Sequence, residues 1–195
     1  MSNEFNQHYW NERYRTGQTG WDIGYASPPL TDYIDGLTDK NLKILIPGGG
    51  NSYEADYLLQ QGFTDVTVVD ISSEIIHKLQ ERYAASGLKA VCEDFFEHSG
   101  HYDLILEQTF FCAIDPALRP RYVQKMYELV TSGGTLAGLL FDRPFVGGPP
   151  FGGTVDEYKS LFNDYFELKR MDAAHNSIPP RQGSEVFFVA SPKSI

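Results

Sequence analysis

The chain has 195 residues, a formal net charge of −10 and 42% hydrophobic residues. This length indicates a single domain with a substantial core. The acidic balance argues against nucleic acid as a partner, since such binding rests on basic patches. The two cysteines, Cys92 and Cys112, form neither a disulfide framework nor a metal-binding pattern. We therefore expect one reduced, cytoplasmic domain over residues 1–195, without a bound metal ion.

Residues 1–29 are predicted to form a helix and a lid segment. A helical pattern with aromatic residues on one face covers 3–15, and the glycines and prolines of 16–29 indicate a loop. Trp10 and Trp21 are candidates for a lid over a ligand, and packing on the core is the alternative. The polar start of the chain does not resemble a signal peptide. No apolar run approaches the length of a membrane span, so we expect no membrane partner.

The most informative stretch is an apolar run, 43–47, that ends in the three glycines 48–50. A buried strand that turns into a helix through glycines lets a ligand approach the backbone closely. A second apolar run ends at Asp70, where dinucleotide-binding folds place a carboxylate on a ribose. The glycine fingerprint that cradles a pyrophosphate is incomplete, because Tyr53 occupies its third position. S-adenosylmethionine, which has a ribose but no phosphate, does not need that third glycine.

The rest of the chain alternates helices and strands. Helices are predicted at 30–37, 53–61, 72–85, 116–130 and 154–162, and strands at 43–47, 66–70, 89–94, 102–107, 135–141, 166–173 and 185–190. This order predicts an α/β, Rossmann-like fold with a seven-stranded, mostly parallel sheet, one antiparallel strand and helices on both faces. Ligands bind beyond the carboxyl ends of such strands. The residues expected to converge there are Gly48, Asp70, Asp94 and Glu107.

Several segments together form a specific pattern over nearly the whole chain. They are Tyr9-Trp10, 20–24, 47–50, 69–72, 110–116 with Arg119-Pro120, 126–129 and 146–151. In these segments the sequence resembles the thiopurine methyltransferase superfamily, and most closely the thiol and halide methyltransferases of plants and bacteria, the "harmless to ozone layer" proteins. The resemblance implies a class I methyltransferase fold, S-adenosylmethionine as cofactor and S-adenosylhomocysteine as product.

The same resemblance implies the residues of the cofactor site. They are Trp10, Tyr14, Trp21, Gly48, Gly50, Asp70, Ile71, Asp94, Phe95, Glu107 and Gln108. Asp70 is implied to bind the ribose hydroxyls, and Asp94 and Phe95 to lie at the adenine. Glu107 and Gln108 are implied to lie near the methionine part of the cofactor.

The sequence departs from the family's pattern in both halves of the expected site. Tyr14 replaces a frequent tryptophan, Gly49 a frequent cysteine of the Pro-Gly-Cys-Gly turn, and Glu107 an aspartate of the plant proteins. Phe141 and Asp142 stand where those relatives carry a tyrosine, near the expected acceptor pocket.

Four residues are candidates for the acceptor site: Phe111, Phe141, Asp142 and Arg181. Methyl transfer from a sulfonium to an anion loses charge toward the transition state, so a dry pocket walled by aromatic rings favours it. Arg181 is a candidate to attract an anionic acceptor, and a solvated loop cation is the alternative. Asp142 is a candidate to take a proton from a thiol, and a capping or ion-pair role is the alternative.

We therefore predict S-adenosylmethionine-dependent methyl transfer, by in-line displacement, to a small soft nucleophile: a thiol, sulfide, halide or thiocyanate. A small-molecule methyl acceptor is the expected partner, and a monomer or weak dimer the expected state. One alternative is a nucleotide-dependent oxidoreductase on a related fold, which the incomplete glycine fingerprint disfavours. The other is a non-catalytic protein that binds S-adenosylmethionine or S-adenosylhomocysteine.

Overall fold

A computed structural model describes residues 4–194 and shows one mixed sheet. Its strands are β1 (Lys43–Pro47), β2 (Asp65–Asp70), β3 (Leu88–Cys92), β4 (Tyr102–Gln108), β5 (Val130–Phe141), β6 (Phe166–Ala173) and β7 (Glu185–Pro192). Across the sheet their order is β3-β2-β1-β4-β5-β7-β6. Strands β1 to β5 pair in parallel, whereas β7 runs antiparallel to both β5 and β6. The predicted seven-stranded sheet with one antiparallel strand is confirmed.

Helices cover both faces of this sheet. They are α1 (Gln7–Thr16), α2 (Pro28–Asp35), α3 (Tyr53–Gln60), α4 (Ser73–Arg82), α5 (Arg119–Leu129) and α6 (Val155–Phe162). Ile34, Leu58 and Leu79 place α2, α3 and α4 in one apolar cluster, and Tyr122 and Phe162 place α5 and α6 in the other. Burial of both faces explains why the parallel strands are short apolar runs in the sequence.

Several boundaries differ from the sequence-based prediction; for example, α4 ends at Arg82 instead of residue 85, and β3 ends at Cys92 instead of residue 94. α1 begins at Gln7 because the Asn6 side chain accepts a hydrogen bond from the Tyr9 amide and caps the helix; the predicted first residue, Asn3, lies outside the described residues. The helix predicted to open at Pro116 starts with a 3₁₀ turn, Pro116–Leu118, before α5. The predicted turn at 132–134 is an irregularity inside β5, since Tyr102 pairs with Val130 but Leu104 pairs with Thr135.

Within residues 4–194, no helix combines the length and the apolarity that a membrane crossing requires.

Candidate active site

A cavity of about 610 Å³ lies at the carboxyl ends of the parallel strands. Its wall includes side chains or backbone of Trp10, Tyr14, Trp21, Gly48, Asp70, Ile71, Asp94, Phe95, Thr109, Phe110, Cys112, Phe141, Phe145 and Arg181. This volume is within the range of small-molecule sites, and the position is the one at which α/β sheets bind ligands. Of the four residues expected to converge at this edge, Gly48, Asp70 and Asp94 line the cavity, whereas Glu107 does not.

The turn after β1 is held by backbone geometry that only glycine adopts easily. Gly48 has φ +56° and Gly50 has φ +53°, both in the left-handed region. A Cβ atom on Gly48 would overlap the ring of Phe110, so a side chain has no room there. Gly48 lines the cavity, whereas Gly50 acts through its N–H group, which donates to Asp70 Oδ2 at 3.0 Å.

Asp70 joins this turn to the start of α4. Besides the Gly50 bond, its Oδ1 accepts a hydrogen bond from the Ser72 amide at 2.8 Å. Burial raises the pKa of Asp70 to about 6, while these N–H donors oppose the rise. Each carboxylate oxygen can accept a second hydrogen bond, and Asp70 lines the cavity. The residue thus fits the ribose hydroxyls of an adenosine group.

The side of the cavity that fits adenosine continues after β3. The Asp94 carboxylate accepts a hydrogen bond from the Phe96 amide at 2.9 Å and so starts the 3₁₀ turn Phe95–Glu97. Asp94, Phe95 and Ile71 all line the cavity. An apolar ring beside a carboxylate is an arrangement that suits an adenine base with its exocyclic amine.

Residues 10–22, which we call the lid, contribute the rings of Trp10, Tyr14 and Trp21 to the cavity wall. The Trp21 ring lies edge-on to Trp10 and Tyr14, with centroid distances of 5.5 and 5.7 Å. The Asp22 carboxylate accepts a hydrogen bond from the Tyr53 hydroxyl at 3.3 Å and another from the side-chain Nδ2 of Asn51. These bonds tether the lid to the start of α3. Burial raises the pKa of Tyr14 above its ordinary value, so its hydroxyl stays protonated.

The structure places Glu107 and Gln108 outside the cavity wall. Glu107 is fully buried; its Oε1 accepts hydrogen bonds from the amides of Phe110 and Phe111, at 2.8 and 2.9 Å, and its Oε2 accepts one from Tyr122 at 2.5 Å. Burial raises the pKa of Glu107 to about 7, against these donors. Glu107 therefore fixes the turn after β4, and Thr109 and Phe110 of that turn, rather than Glu107 itself, line the cavity.

The side of the cavity where the acceptor is expected lies at the end of β5 and the start of β7. The Phe141 ring packs edge-on against Phe145 at 5.0 Å, and both line the cavity. The buried thiol of Cys112 is part of the same wall, and burial raises its pKa to about 12. A thiol with that pKa is neither a nucleophile nor a base near neutral pH. Phe141, Phe145 and Cys112 therefore give this side of the cavity an apolar surface.

Arg181 is buried, which excludes the solvated loop cation considered from the sequence. Its Nη2 donates to the Trp21 carbonyl oxygen at 2.7 Å, and its Nη1 lies 3.5 Å from Glu185 Oε1. Its guanidinium carbon lies 5.6 Å from the centroid of the Phe141 ring. Arg181 therefore lines the cavity with its charge already balanced by Glu185.

Two acceptor-site candidates are not brought to the cavity. The Phe111 ring is 1% exposed and packs on Tyr122 and Tyr158 in the core, with centroids 5.1 and 5.5 Å away. Asp142 is exposed at the sheet edge, where its Oδ1 accepts a hydrogen bond from the Val155 amide at 3.2 Å, at the first residue of α6. The capping role considered for Asp142 matches this placement.

Several residues that line the cavity were not predicted from the sequence as site residues, among them Phe5, Arg13, Glu93 and Arg143. Helical spacing carried a signal for Arg13, which shares a face with Trp10 on the predicted helix. Glu93 directly precedes Asp94 in a predicted strand end. Arg143 lies in an irregular loop, for which the sequence offers no register.

Among residues 4–194, no group of His, Cys, Asp or Glu side chains is arranged to hold a metal ion.

Comparisons with known proteins agree with this geometry. The family model for thiopurine S-methyltransferase (TPMT) matches residues 5–190. The probable thiol methyltransferase 2 of Arabidopsis thaliana is 31% identical over 186 residues, which cover 90% of this chain and 81% of that protein. Thiocyanate methyltransferase 1 of Brassica oleracea is 30% identical over 184 residues, with 90% and 81% coverage.

Solved structures show the same fold at lower identity. The Burkholderia thailandensis 1,6-didemethyltoxoflavin-N1-methyltransferase, with bound 1,6-didemethyltoxoflavin and S-adenosylhomocysteine, superposes with a TM-score of 0.75 and 18% identity, covering 97% of this chain and 87% of that one. The glycopeptide N-methyltransferase MtfA, complexed with S-adenosylhomocysteine, superposes with a TM-score of 0.71 and 12% identity, covering 88% and 91%. The fold is that of the class I methyltransferases.

The family match also decides between the alternatives left open by the sequence. It supports neither a nucleotide-dependent oxidoreductase nor a non-catalytic binding protein, since the matched family and the named relatives are methyltransferases. The chain therefore belongs to the thiopurine S-methyltransferase family and is an S-adenosylmethionine-dependent methyltransferase.

Proposed function

We propose that this enzyme methylates the sulfur of a small thiol. Sulfide, halide and thiocyanate are the other soft nucleophiles of the predicted class. The observation that carries the proposal is the acceptor side of the cavity, which is walled by the rings of Phe110, Phe141 and Phe145 and by Pro149 and Pro150. Relatives named as thiol and thiocyanate methyltransferases support the same class of acceptor.

The titratable groups of the cavity favour an acceptor that loses its proton without help from a catalytic base. Within residues 4–194, the cavity wall contains neither histidine nor lysine. Its carboxylates Asp70, Glu93 and Asp94 lie on the cofactor side, and the Asp115 carboxylate accepts a hydrogen bond from the Ala117 amide at 2.9 Å. A thiol has an ordinary pKa of about 8.5 and is partly ionised near neutral pH, whereas an alcohol needs a base.

The chain's own residues bind the reactants, orient them and exclude water. When bound, S-adenosylmethionine supplies an electrophilic methyl group on a sulfonium, and the acceptor sulfur takes it while the electron pair of the broken bond returns to the cofactor sulfur. Asp70 would hold the ribose, and Asp94 with Phe95 the adenine. The lid would exclude water, and the rings of the acceptor side would keep the pocket weakly polar. A cation and an anion that neutralise each other react faster in such surroundings.

A paired-acceptor assay tests this proposal. The purified protein is incubated with S-adenosylmethionine and with thiophenol, phenol, iodide or thiocyanate, and S-adenosylhomocysteine formation is followed. We expect turnover with thiophenol and none above the acceptor-free rate with phenol, which differs by one atom. If iodide or thiocyanate were turned over faster than thiophenol, the acceptor would be an inorganic anion and not a thiol. Tight binding of S-adenosylhomocysteine without turnover of any acceptor would contradict the proposed function.

A further inference from the structure

Three carboxylates and two guanidinium groups of the cavity wall lie at different strand ends. The carboxylates of Asp70, Glu93 and Asp94 lie at the ends of β2 and β3. The guanidinium groups of Arg143 and Arg181 lie after β5 and before β7. Because β1 and β4 separate β2 from β5, these two sides are roughly 14 Å apart at the ordinary strand spacing. Arg143 and Arg181 therefore place positive charge on the proposed acceptor side.

The two arginines differ in how their charge is balanced. Arg181 is buried and forms an ion pair with Glu185 at 3.5 Å. Arg143 is exposed, and its guanidinium carbon lies 4.7 Å from the centroid of the Phe145 ring. Among residues 4–194, none of the ion pairs joins Arg143 to a carboxylate. Its neighbour Asp142 instead accepts a hydrogen bond from the Val155 amide.

Other arginines of the cavity wall lie elsewhere. Arg121, on α5, forms an ion pair with Glu97 at 3.2 Å. Arg13 belongs to α1, and its Nη1 lies 3.5 Å from Gln18 Oε1 within the lid region. Arg143 is thus the cation that is placed on the acceptor side without an ion pair in the described part of the chain.

We propose that the acceptor is a thiol that carries a second, anionic group, a carboxylate, and that Arg143 binds this group. This inference rests on the proposed thiol methylation and names the class of substrate for it. A planar guanidinium binds a carboxylate through two parallel hydrogen bonds, which fixes orientation as well as position. Stacking on Phe145 holds the guanidinium at the cavity wall. With its carboxylate at this rim, the acceptor directs its sulfur toward Phe141 and the interior.

The cofactor also carries a carboxylate, on its methionine part, and this is the competing partner for Arg143. The carboxylate-lined side that fits adenosine lies across the sheet from Arg143, which favours the acceptor. A binding measurement with S-adenosylhomocysteine, which retains that carboxylate, separates the two assignments.

The test compares 4-mercaptobenzoate with 4-mercaptobenzamide, which has the same shape without the charge. Each is assayed with the native enzyme, with Arg143→Gln and with Arg170→Gln. Arg170 is a matched control, because it is an exposed arginine over an aromatic ring, 5.2 Å from the Phe187 centroid, and it does not line this cavity. We expect Arg143→Gln to raise KM for the benzoate about tenfold. KM for the benzamide, the S-adenosylhomocysteine dissociation constant and all Arg170→Gln values should stay unchanged.

The outcomes separate the inference from the proposed function. Native turnover of both thiols with equal KM, unaffected by Arg143→Gln, would overturn the carboxylate-bearing acceptor and leave thiol methylation in place. A weaker S-adenosylhomocysteine affinity in Arg143→Gln would assign the residue to the cofactor and overturn the inference. Failure of the native enzyme to methylate either thiol, with S-adenosylhomocysteine still bound, would overturn both.

Discussion

Arg181 donates a hydrogen bond from Nη2 to the carbonyl oxygen of Trp21 at 2.7 Å, and so joins two segments 160 residues apart. The same guanidinium pairs with the buried carboxylate of Glu185 at 3.5 Å. Trp21 lines the cavity and contacts the rings of Trp10 and Tyr14. Arg181 therefore anchors the lid to the β7 edge of the site, a role that reaches beyond the attraction of an acceptor.

Replacing Arg181 by alanine removes this anchor and leaves Glu185 buried without its partner. We expect the affinity for S-adenosylhomocysteine to fall about tenfold, because the lid loses its attachment. The free energy of unfolding should fall by about 3 kcal/mol, since an unpaired buried charge remains. Urea unfolding measures the second quantity. Tryptophan fluorescence measures the first, because the chain's two tryptophans, Trp10 and Trp21, both line the cavity.

A double variant, Arg181→Met with Glu185→Gln, separates the two effects. It removes both charges, so most of the lost stability should return. It still lacks a donor to the Trp21 carbonyl, so the affinity should remain low. Recovery of the affinity together with the stability would contradict the anchoring role.

Asp70 should make cofactor binding dependent on pH. Burial raises its pKa to about 6, and ribose hydroxyls donate to the ionised carboxylate, so protonation removes an acceptor. We expect the S-adenosylhomocysteine dissociation constant to be flat above pH 7 and to rise below pH 6, by up to about tenfold per pH unit. Asp70→Asn should bind weakly at every pH. Fluorescence titrations from pH 5 to pH 8 measure this, and an unchanged pH profile in Asp70→Asn would assign the effect to another group.

The strand ends explain how much of the site the sequence could predict. Gly48 and Asp70 follow apolar runs, and parallel pairing of β1 with β2 brings such ends to one edge of the sheet. Local rules therefore suffice for the fold and for the meeting of Gly48, Asp70 and Asp94 at that edge. The lid was predictable because Trp21 lies in a glycine-rich loop, where a large apolar ring needs a partner.

The directions of individual side chains could not be predicted in the same way. Phe110 and Phe111 are adjacent, yet Phe110 faces the cavity and Phe111 the core, because the turn after β4 curls back over Glu107. Sequence pattern does not define a register in such a turn. The burial of Arg181 depends on a contact with Trp21, which no local pattern contains.

Glu107 should make the stability of the fold dependent on pH. Burial raises its pKa from the ordinary 4.5 to about 7, so between these values the folded state binds more protons than the unfolded state. Its contribution is full below about pH 4.5 and is lost as the pH rises through about 7. The difference between the two pKa values corresponds to on the order of 3 kcal/mol.

Glu107→Gln tests this dependence. The side-chain oxygen of glutamine can keep the bonds from the backbone N–H groups of Phe110 and Phe111, and its NH2 group can donate to the Tyr122 hydroxyl. Because glutamine does not ionise, we expect this variant to be more stable than the native protein at pH 8 and to lose less stability between pH 5 and pH 8. Urea unfolding at both pH values measures the difference. An equal loss of unfolding free energy between pH 5 and pH 8 in the two proteins would show that Glu107 is not the titrating group.

Packing against Val68 gives a physical reason for the glycine at position 49, where cysteine is frequent in the family's pattern. A Cβ atom on Gly49 would lie 2.6 Å from Val68 Cγ1, and Val68 is fully buried on β2. We expect Gly49→Ala to lower the free energy of unfolding by about 2 kcal/mol through this overlap. Val68→Ala should lower it by a similar amount, about 2 kcal/mol, through lost packing.

The double variant, Gly49→Ala with Val68→Ala, should lose less stability than the sum of the two single changes, because the new methyl group fills the space that the valine leaves. A coupling of at least about 1 kcal/mol in this double-mutant cycle is the expected result. Gly133→Ala is the control: that glycine is exposed, and a Cβ there meets nothing within 4 Å, so its effect should stay within about 0.5 kcal/mol. Strict additivity of the two core changes would show that Val68 does not exclude a side chain from position 49.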